Sequence, residues 1–294
     1  MQIVANGLGI EIDDQGPPSG DPLLLIMGLG MQLTAWPEPF VHMLVSMGLR
    51  VIRLDNRDAG LSAGFDHAGV PNVPLAAMRY TLRLPVNAPY GIRDMAADAV
   101  GVLDALGIRR AHVCGASLGG MVAQHVASRY PDRVKSLTLL MTTSGARHLP
   151  QPSLRVRAAL LSRPSGRDPA AVVRHLEGLM AVIGSPAFPP EPAAQRERLQ
   201  GMVKRAWRPK GTMRQLVAVA ADGDRSALLA NIQVPTRVIH GEADPLVPVG
   251  AGRDLVARIF AAQGDFIPGM GHDLPAQLWQ RLAEGIAANA RRAR

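Results

Sequence analysis

Residues 115–120 read Gly-Ala-Ser-Leu-Gly-Gly and directly follow the apolar run Ala111-His112-Val113-Cys114. A Gly-x-Ser-x-Gly pentad that closes a strand and opens a helix is the sequence form of a sharp turn with its serine at the tip. The central residue of such a turn sits in a strained backbone conformation, and neighbouring side chains would collide. Gly115 and Gly119 relieve that crowding, and Gly120 lets the helix close onto the sheet. Ser117 then stands beside a helix N-terminus, whose free N–H groups favour negative charge. The chemistry this suits is nucleophilic attack by a hydroxyl.

A serine hydroxyl is a weak nucleophile near neutral pH, so it needs a base, and the base needs an orienting acid. On a turn of this kind the partners follow in the order serine, acid, histidine. Residues 235–240 read as a strand, followed by Gly241-Glu242-Ala243-Asp244; residues 265–268 lead into Gly269-Met270-Gly271-His272. The spacing predicts His272 as the base and Asp244 as the acid. Glu242 is the rival acid, with Asp222 and Asp224 behind it. Of the other histidines, His112 and His240 lie inside strands and read as core, and His125 should point away from the tip. Attack on a carbonyl also needs donors for the oxyanion. The backbone N–H of Leu118, the residue after the nucleophile, is one.

The elements that must hold these residues alternate along the chain. Residues 1–13 predict a hairpin, and Leu23-Leu24-Leu25-Ile26-Met27 is a continuous apolar run suited to a strand buried on both faces. Helical spacing over 41–47, a strand at 50–54 and a helix over 91–106 follow. That helix places Met95, Ala99, Val102, Leu103 and Leu106 on one side and Asp94, Asp98 and Asp104 on the other. A helix over 118–130 and a strand over 134–141 complete a pattern that implies a mostly parallel sheet with helices on both faces. The rhythm then stops. Residues 147–228 hold amphipathic segments near 154–162, 168–183, 192–207 and 212–222 with no strand signal. This block reads as a helical cap inserted into a core made of residues 1–146 and 229–294. A helix over 248–260, a strand over 265–268 and a final helix over 275–292 close the chain.

The stretches LLLIMGLG (23–30), DNRDAGLS (55–62), GASLGG (115–120), VPTRVIHGEADPLVP (234–248) and PGMGH (268–272) span nearly the whole length. On these the chain resembles the α/β-hydrolase superfamily, and within it the aclacinomycin-methylesterase-like bacterial serine esterases. The resemblance implies the α/β-hydrolase fold and a serine carboxylic-ester hydrolase that works through an acyl-enzyme on small to medium, mostly apolar esters. Lactonase, methylesterase and cofactor-free perhydrolase activities use the same three residues. A ligand-binding protein on this fold is the reading from a different class. The resemblance makes the N–H of Leu29, in the loop Gly28-Leu29-Gly30, the second oxyanion donor, with Met27-Gly28 replacing the family's common His-Gly pair. It also makes the turn at 55–60 a brace for that loop. Some members carry the acid after the strand that follows the elbow, but here that position reads Met141-Thr142-Thr143-Ser144. Serine at the elbow excludes the dehalogenase and epoxide-hydrolase branches, which use aspartate. Gly28, Trp207 and Met270 are the candidate substrate contacts. No metal or cofactor motif is present: Gly28-x-Gly30 lacks the third glycine and downstream acid of a dinucleotide site.

A length of 294 residues allows one large α/β domain with an insertion. The net charge of +8 invites a nucleic-acid reading, but the cations are nearly all arginine and dispersed; Lys135, Lys204 and Lys210 are the only lysines. No zinc spacing or aromatic platform accompanies them, so the expected partner is a small-molecule ester and not a nucleic acid. The cluster Arg291-Arg292-Ala293-Arg294 suits a solvated helix end. No apolar run is long enough to span a membrane, and the N-terminus lacks the basic and apolar regions of a secretion signal. One cysteine, Cys114, permits no intramolecular disulfide and reads as buried core, consistent with a cytoplasmic protein.

Overall fold

The structure is a computed structural model that describes residues 1–293. The chain opens with the hairpin β1 (Gln2–Ala5) and β2 (Leu8–Gln15). The remaining strands are β3 (Asp21–Ile26), β4 (Leu49–Leu54), β5 (Ala111–Ala116), β6 (Val134–Leu140), β7 (Thr236–Gly241) and β8 (Gln263–Ile267). They form one sheet in the order β1-β2-β4-β3-β5-β6-β7-β8, antiparallel at β1–β2 and β2–β4 and parallel elsewhere. Parallel neighbours need long crossovers, and these are the helices. The first half carries α1 (Glu38–Ser46), α2 (Val73–Thr81), α3 (Ile92–Ala105) and α4 (Leu118–Arg129). Between β6 and β7 lie α5 (Leu154–Leu161), α6 (Pro169–Ile183), α7 (Pro192–Arg205), α8 (Pro209–Asp222) and the short α9 (Ser226–Leu229). The chain ends with α10 (Gly250–Arg258) and α11 (Trp279–Arg291).

Strand β3 shows why both faces are covered. Successive side chains on a strand point to opposite sides. Leu24 and Ile26 enter a core shared with α3 and α4, whereas Leu23 and Leu25 enter a second core with α1 and α11. The register aligns Ile26, Gly115, Leu139 and Val238 across four strands. The loops after β3, β5, β7 and β8 therefore leave from the same end of the sheet, where ligands of open α/β sheets bind. No helix among the described residues is long and apolar enough to cross a membrane.

Two features depart from the sequence pattern. Helix α2 lies in a stretch to which the sequence pattern assigns no element; it starts because the Asn72 side chain accepts the Leu75 N–H and Pro74 fills the first turn. Asp98, expected on a solvated face, is only 2% exposed. Its carboxylate accepts two hydrogen bonds of 2.6 Å from Arg57, in the turn at 55–60, and a third from Asn6. A tertiary partner has turned a surface position into a buried ion pair. Removing one member leaves the other charge buried and uncompensated. Asp98→Ala is therefore expected to lower the unfolding free energy in urea by about 3–5 kcal/mol, while Asp132→Ala at the surface leaves the midpoint nearly unchanged.

Candidate active site

The turn that carries Ser117 is built by close backbone approach. Ser117 has φ +53° and ψ −120°, a conformation that non-glycine residues rarely adopt. A Cβ on Gly119 would lie 2.0 Å from the Ile26 carbonyl oxygen, and one on Gly115 would lie 2.2 Å from the Gly119 carbonyl oxygen. Helix α4 thus begins pressed against β3 and β5, which no larger residue would allow. The Ser117 N–H is held by the Leu140 carbonyl at 2.9 Å. Gly28 follows β3 close beside the serine, since a Cβ there would stand 3.1 Å from Ser117 Cβ.

His272 Nε2 lies 3.0 Å from Ser117 Oγ, and His272 Nδ1 lies 2.7 Å from Asp244 Oδ2. Because the carboxylate only accepts, the Nδ1 proton faces Asp244 and Nε2 is left to accept from the serine. Asp244 Oδ1 accepts the N–H groups of Leu246 and Val247 at 2.9 and 2.8 Å, which fixes the carboxylate in its turn. Glu242 takes no part: it faces outward to Arg253 at 3.2 Å. Asp222 is engaged elsewhere, by His125 and Arg225. Burial alone would raise the Asp222 carboxyl, but the His125 hydrogen bond and the Arg225 charge outweigh it and hold it below the usual range. Asp224 caps the next turn through the Ser226 N–H. Cys114 is buried as expected, and burial pushes its thiol pKa up.

The N–H groups of Leu29 and Leu118, expected as oxyanion donors, make no hydrogen bond among the described residues. The next N–H, of Gly30, is occupied by Gln215 Oε1 at 2.8 Å. The turn at 55–60 sets this loop: Asn56 donates to the Met27 carbonyl at 2.9 Å, and Asp55 accepts the Leu33 N–H at 2.7 Å.

Three supports have no sequence signal. His272 donates its backbone N–H to the Ile183 carbonyl at 2.7 Å, and Gly271 donates to Ser185 Oγ at 2.8 Å. Ile183 and Ser185 stand at the C-terminal end of α6, so the inserted helices hold the histidine loop. His240 is fully buried 3.6 Å from Asp244 and bonds the Val247 carbonyl at 2.7 Å; burial keeps its pKa below the usual imidazole value. Here a strand histidine read as plain core abuts the acid.

A cavity of about 800 Å³ opens over Ser117 and His272. Gly28, Leu29 and Leu118 line it, as do Leu199 and Met202 from α7 and Val217 from α8. Helix α2 contributes Val73, Ala76 and Tyr80. Two candidate contacts are corrected. Trp207 lies in the connection between α7 and α8, is 36% exposed and does not line the cavity. Met270 is fully buried in the core with Ile267 and Leu282, its carbonyl held by the Ala243 N–H under the acid turn.

The sequence profile of the alpha/beta hydrolase fold family matches residues 21–276. Rhodomycin D methylesterase of Streptomyces sp. (strain C5) is 32% identical over 95% of this chain and 93% of its own. The enzyme of that name from Streptomyces peucetius is 31% identical over the same shares. Among solved structures, the meta-cleavage product hydrolase of Pseudomonas fluorescens IP01 superposes with a TM-score of 0.78 at 20% identity, covering 100% of this chain and 98% of that one. The enol-lactonase of Burkholderia xenovorans LB400 gives 0.73 at 21% identity, covering 99% and 100%. At such identities these two show the shared fold.

The glycine contacts make a contrast that can be measured. Gly119→Ala is expected to abolish cooperative folding or leave Ser117 unreactive toward a fluorophosphonate. Gly178→Ala, mid-helix in α6 with nothing within 4 Å of the added Cβ, should instead raise stability by roughly 0.5–1 kcal/mol. Equal behaviour of the two variants in thermal melts and labelling would contradict the close-approach account.

Proposed function

Since the chain belongs to the alpha/beta hydrolase fold family, we propose that it is a serine hydrolase that cleaves carboxylic esters through an acyl-enzyme. The observation that carries the reading is the line of hydrogen bonds from Ser117 through His272 to Asp244 at the floor of an apolar cavity. In this reading His272 Nε2 takes the hydroxyl proton as Ser117 Oγ attacks the ester carbonyl. Asp244 keeps the imidazole in the required tautomer and stabilises its cation. The N–H groups of Leu29 and Leu118 receive the oxyanion. Collapse of the tetrahedral intermediate breaks the C–O bond, and His272 returns the proton to the leaving alcohol. Water, activated by the same histidine, then releases the acid and restores Ser117.

The cavity's composition favours an ester with an apolar body, and the similarity to methylesterases makes methyl esters the first substrates to try. The helices of residues 147–228 act as a cap over the core of 1–146 and 229–294. Cap residues wall the cavity and tie down the histidine loop, which supports that role.

A panel of p-nitrophenyl esters, methyl esters and lactones tests the reading. Ser117→Ala is expected to fold normally yet lose kcat/KM by roughly 10⁴-fold or more, and a fluorophosphonate should label Ser117 alone. Asp244→Asn should cost on the order of 10⁴ in kcat, whereas Glu242→Gln stays close to wild type. Full activity in Ser117→Ala, or a larger loss in Glu242→Gln than in Asp244→Asn, overturns the mechanism.

A further inference from the structure

Helix α7 packs Leu199 and Met202 against Val172, Val173 and Leu176 of α6. The same helix brings Arg198 to the wall of the cavity that holds Ser117 and His272. Several other arginines of the inserted helices are paired. Arg196 pairs with Glu177, Arg205 with Asp55, Arg214 with Asp58 and Arg225 with Asp222, each at 2.7 Å. The other cavity-wall cations donate to carbonyls, Arg157 to Pro152 at 2.9 Å and Arg225 to Thr143 at 3.1 Å. Arg198 makes no hydrogen bond and no ion pair among the described residues.

Arg198 keeps a large accessible surface, yet protein surrounds it closely enough that desolvation lowers its pKa from the usual arginine value. Part of the surface it exposes lines the cavity. One acid, Asp273, acts on it through space without pairing. Asp273 also lines the cavity, next to His272; its carboxylate is occupied by the Ser185 hydroxyl, and burial raises its pKa. A guanidinium is a rigid five-donor fork that stays charged, and at a cavity wall its donors are available to a ligand. A carboxylate matches that fork with two parallel hydrogen bonds.

We propose that Arg198 anchors a carboxylate borne by the substrate away from the scissile bond, so that the preferred substrates are apolar esters with a free acid group. This inference rests on the serine-hydrolase reading for the identity of the scissile bond. Ser117 and Arg198 share one cavity, and its other walls are mainly leucine, methionine, alanine and valine. Such a site takes an apolar spacer with an ester at one end and an anion at the other.

The test compares monomethyl and dimethyl esters of a series of straight-chain dicarboxylic acids, and reads the ratio of their kcat/KM values. In the wild type the ratio should exceed about ten at the best chain length, as a charge-assisted hydrogen bond is worth roughly 10- to 100-fold. Arg198→Met should bring it to near one, and Arg198→Lys should restore part of it. A wild-type ratio of one or less at every length, or a ratio unmoved by Arg198→Met, overturns the proposal. A separate measurement removes turnover from the question. Calorimetry of the free dicarboxylates on Ser117→Ala should show binding that Ser117→Ala/Arg198→Met loses, and equal binding by the two counts against Arg198. Failure of the wild type to hydrolyse any ester would defeat the hydrolase reading, while the calorimetry still decides on Arg198.

Discussion

Two carboxylates buried in the turn at 55–60 set the terms for the rest of the molecule. Asp55 and Asp58 are almost wholly inaccessible, and a buried carboxylate persists only where cations and donors surround it. Arg214 of α8 meets Asp58 with two hydrogen bonds of 2.7 Å, and Arg205 of α7 meets Asp55 at 2.7 Å. Both arginines come from the helices inserted between β6 and β7. The sheet and the inserted helices are therefore bound by mutual neutralisation, and separating them would strand charges on both sides. Burial alone would raise the Asp58 carboxyl, but Arg214, the Phe65 N–H and the Tyr90 hydroxyl together hold it below the usual carboxylate range.

The same turn positions the loop beside Ser117. Asn56 holds the Met27 carbonyl, and Gln215 bridges the Arg57 carbonyl to the Gly30 N–H. The Gly30 N–H is thus occupied, whereas that of Leu29, a residue of the cavity wall, makes no hydrogen bond among the described residues. Charge neutralisation and orientation of the proposed oxyanion donor are thus parts of one network. The support of the Met27-Gly28 loop comes from the turn at 55–60 and from α8.

On the other side of Ser117, the histidine loop is held by the end of α6. Strand β8 ends at Ile267, well before His272, and the intervening residues gain order from Ile183 and Ser185. The inserted helices thus do more than wall the cavity. They fix the two loops that flank the strained serine, so motion of these helices and integrity of the site are coupled. Apolar walls also sharpen each polar contact inside, because hydrogen bonds and charges are less screened there than in water.

The strands, most helices and the order of the site residues are local matters, and the sequence settles them. Apolar runs of the right length make β3, β5, β6 and β7; glycines at 115, 119 and 120 leave the room that the elbow needs; Ser117, Asp244 and His272 each follow a strand in the order the chemistry requires. Every one of these signals is carried by residues close together in the chain. What the sequence leaves open depends on partners far away in it. Asp98 looks solvated until Arg57 reaches it, and α2, a stretch with no assigned element in the sequence pattern, is defined by its Asn72 cap and its packing on α8. Trp207 and Met270 have the right chemistry for a cavity wall, but the wall's position depends on how α7, α8 and the acid turn pack. Arg198 is one of many arginines in the sequence; only the tertiary structure shows that it lines the cavity without an ion pair or hydrogen bond among the described residues, because pairing is a property of three-dimensional distance and not of residue type.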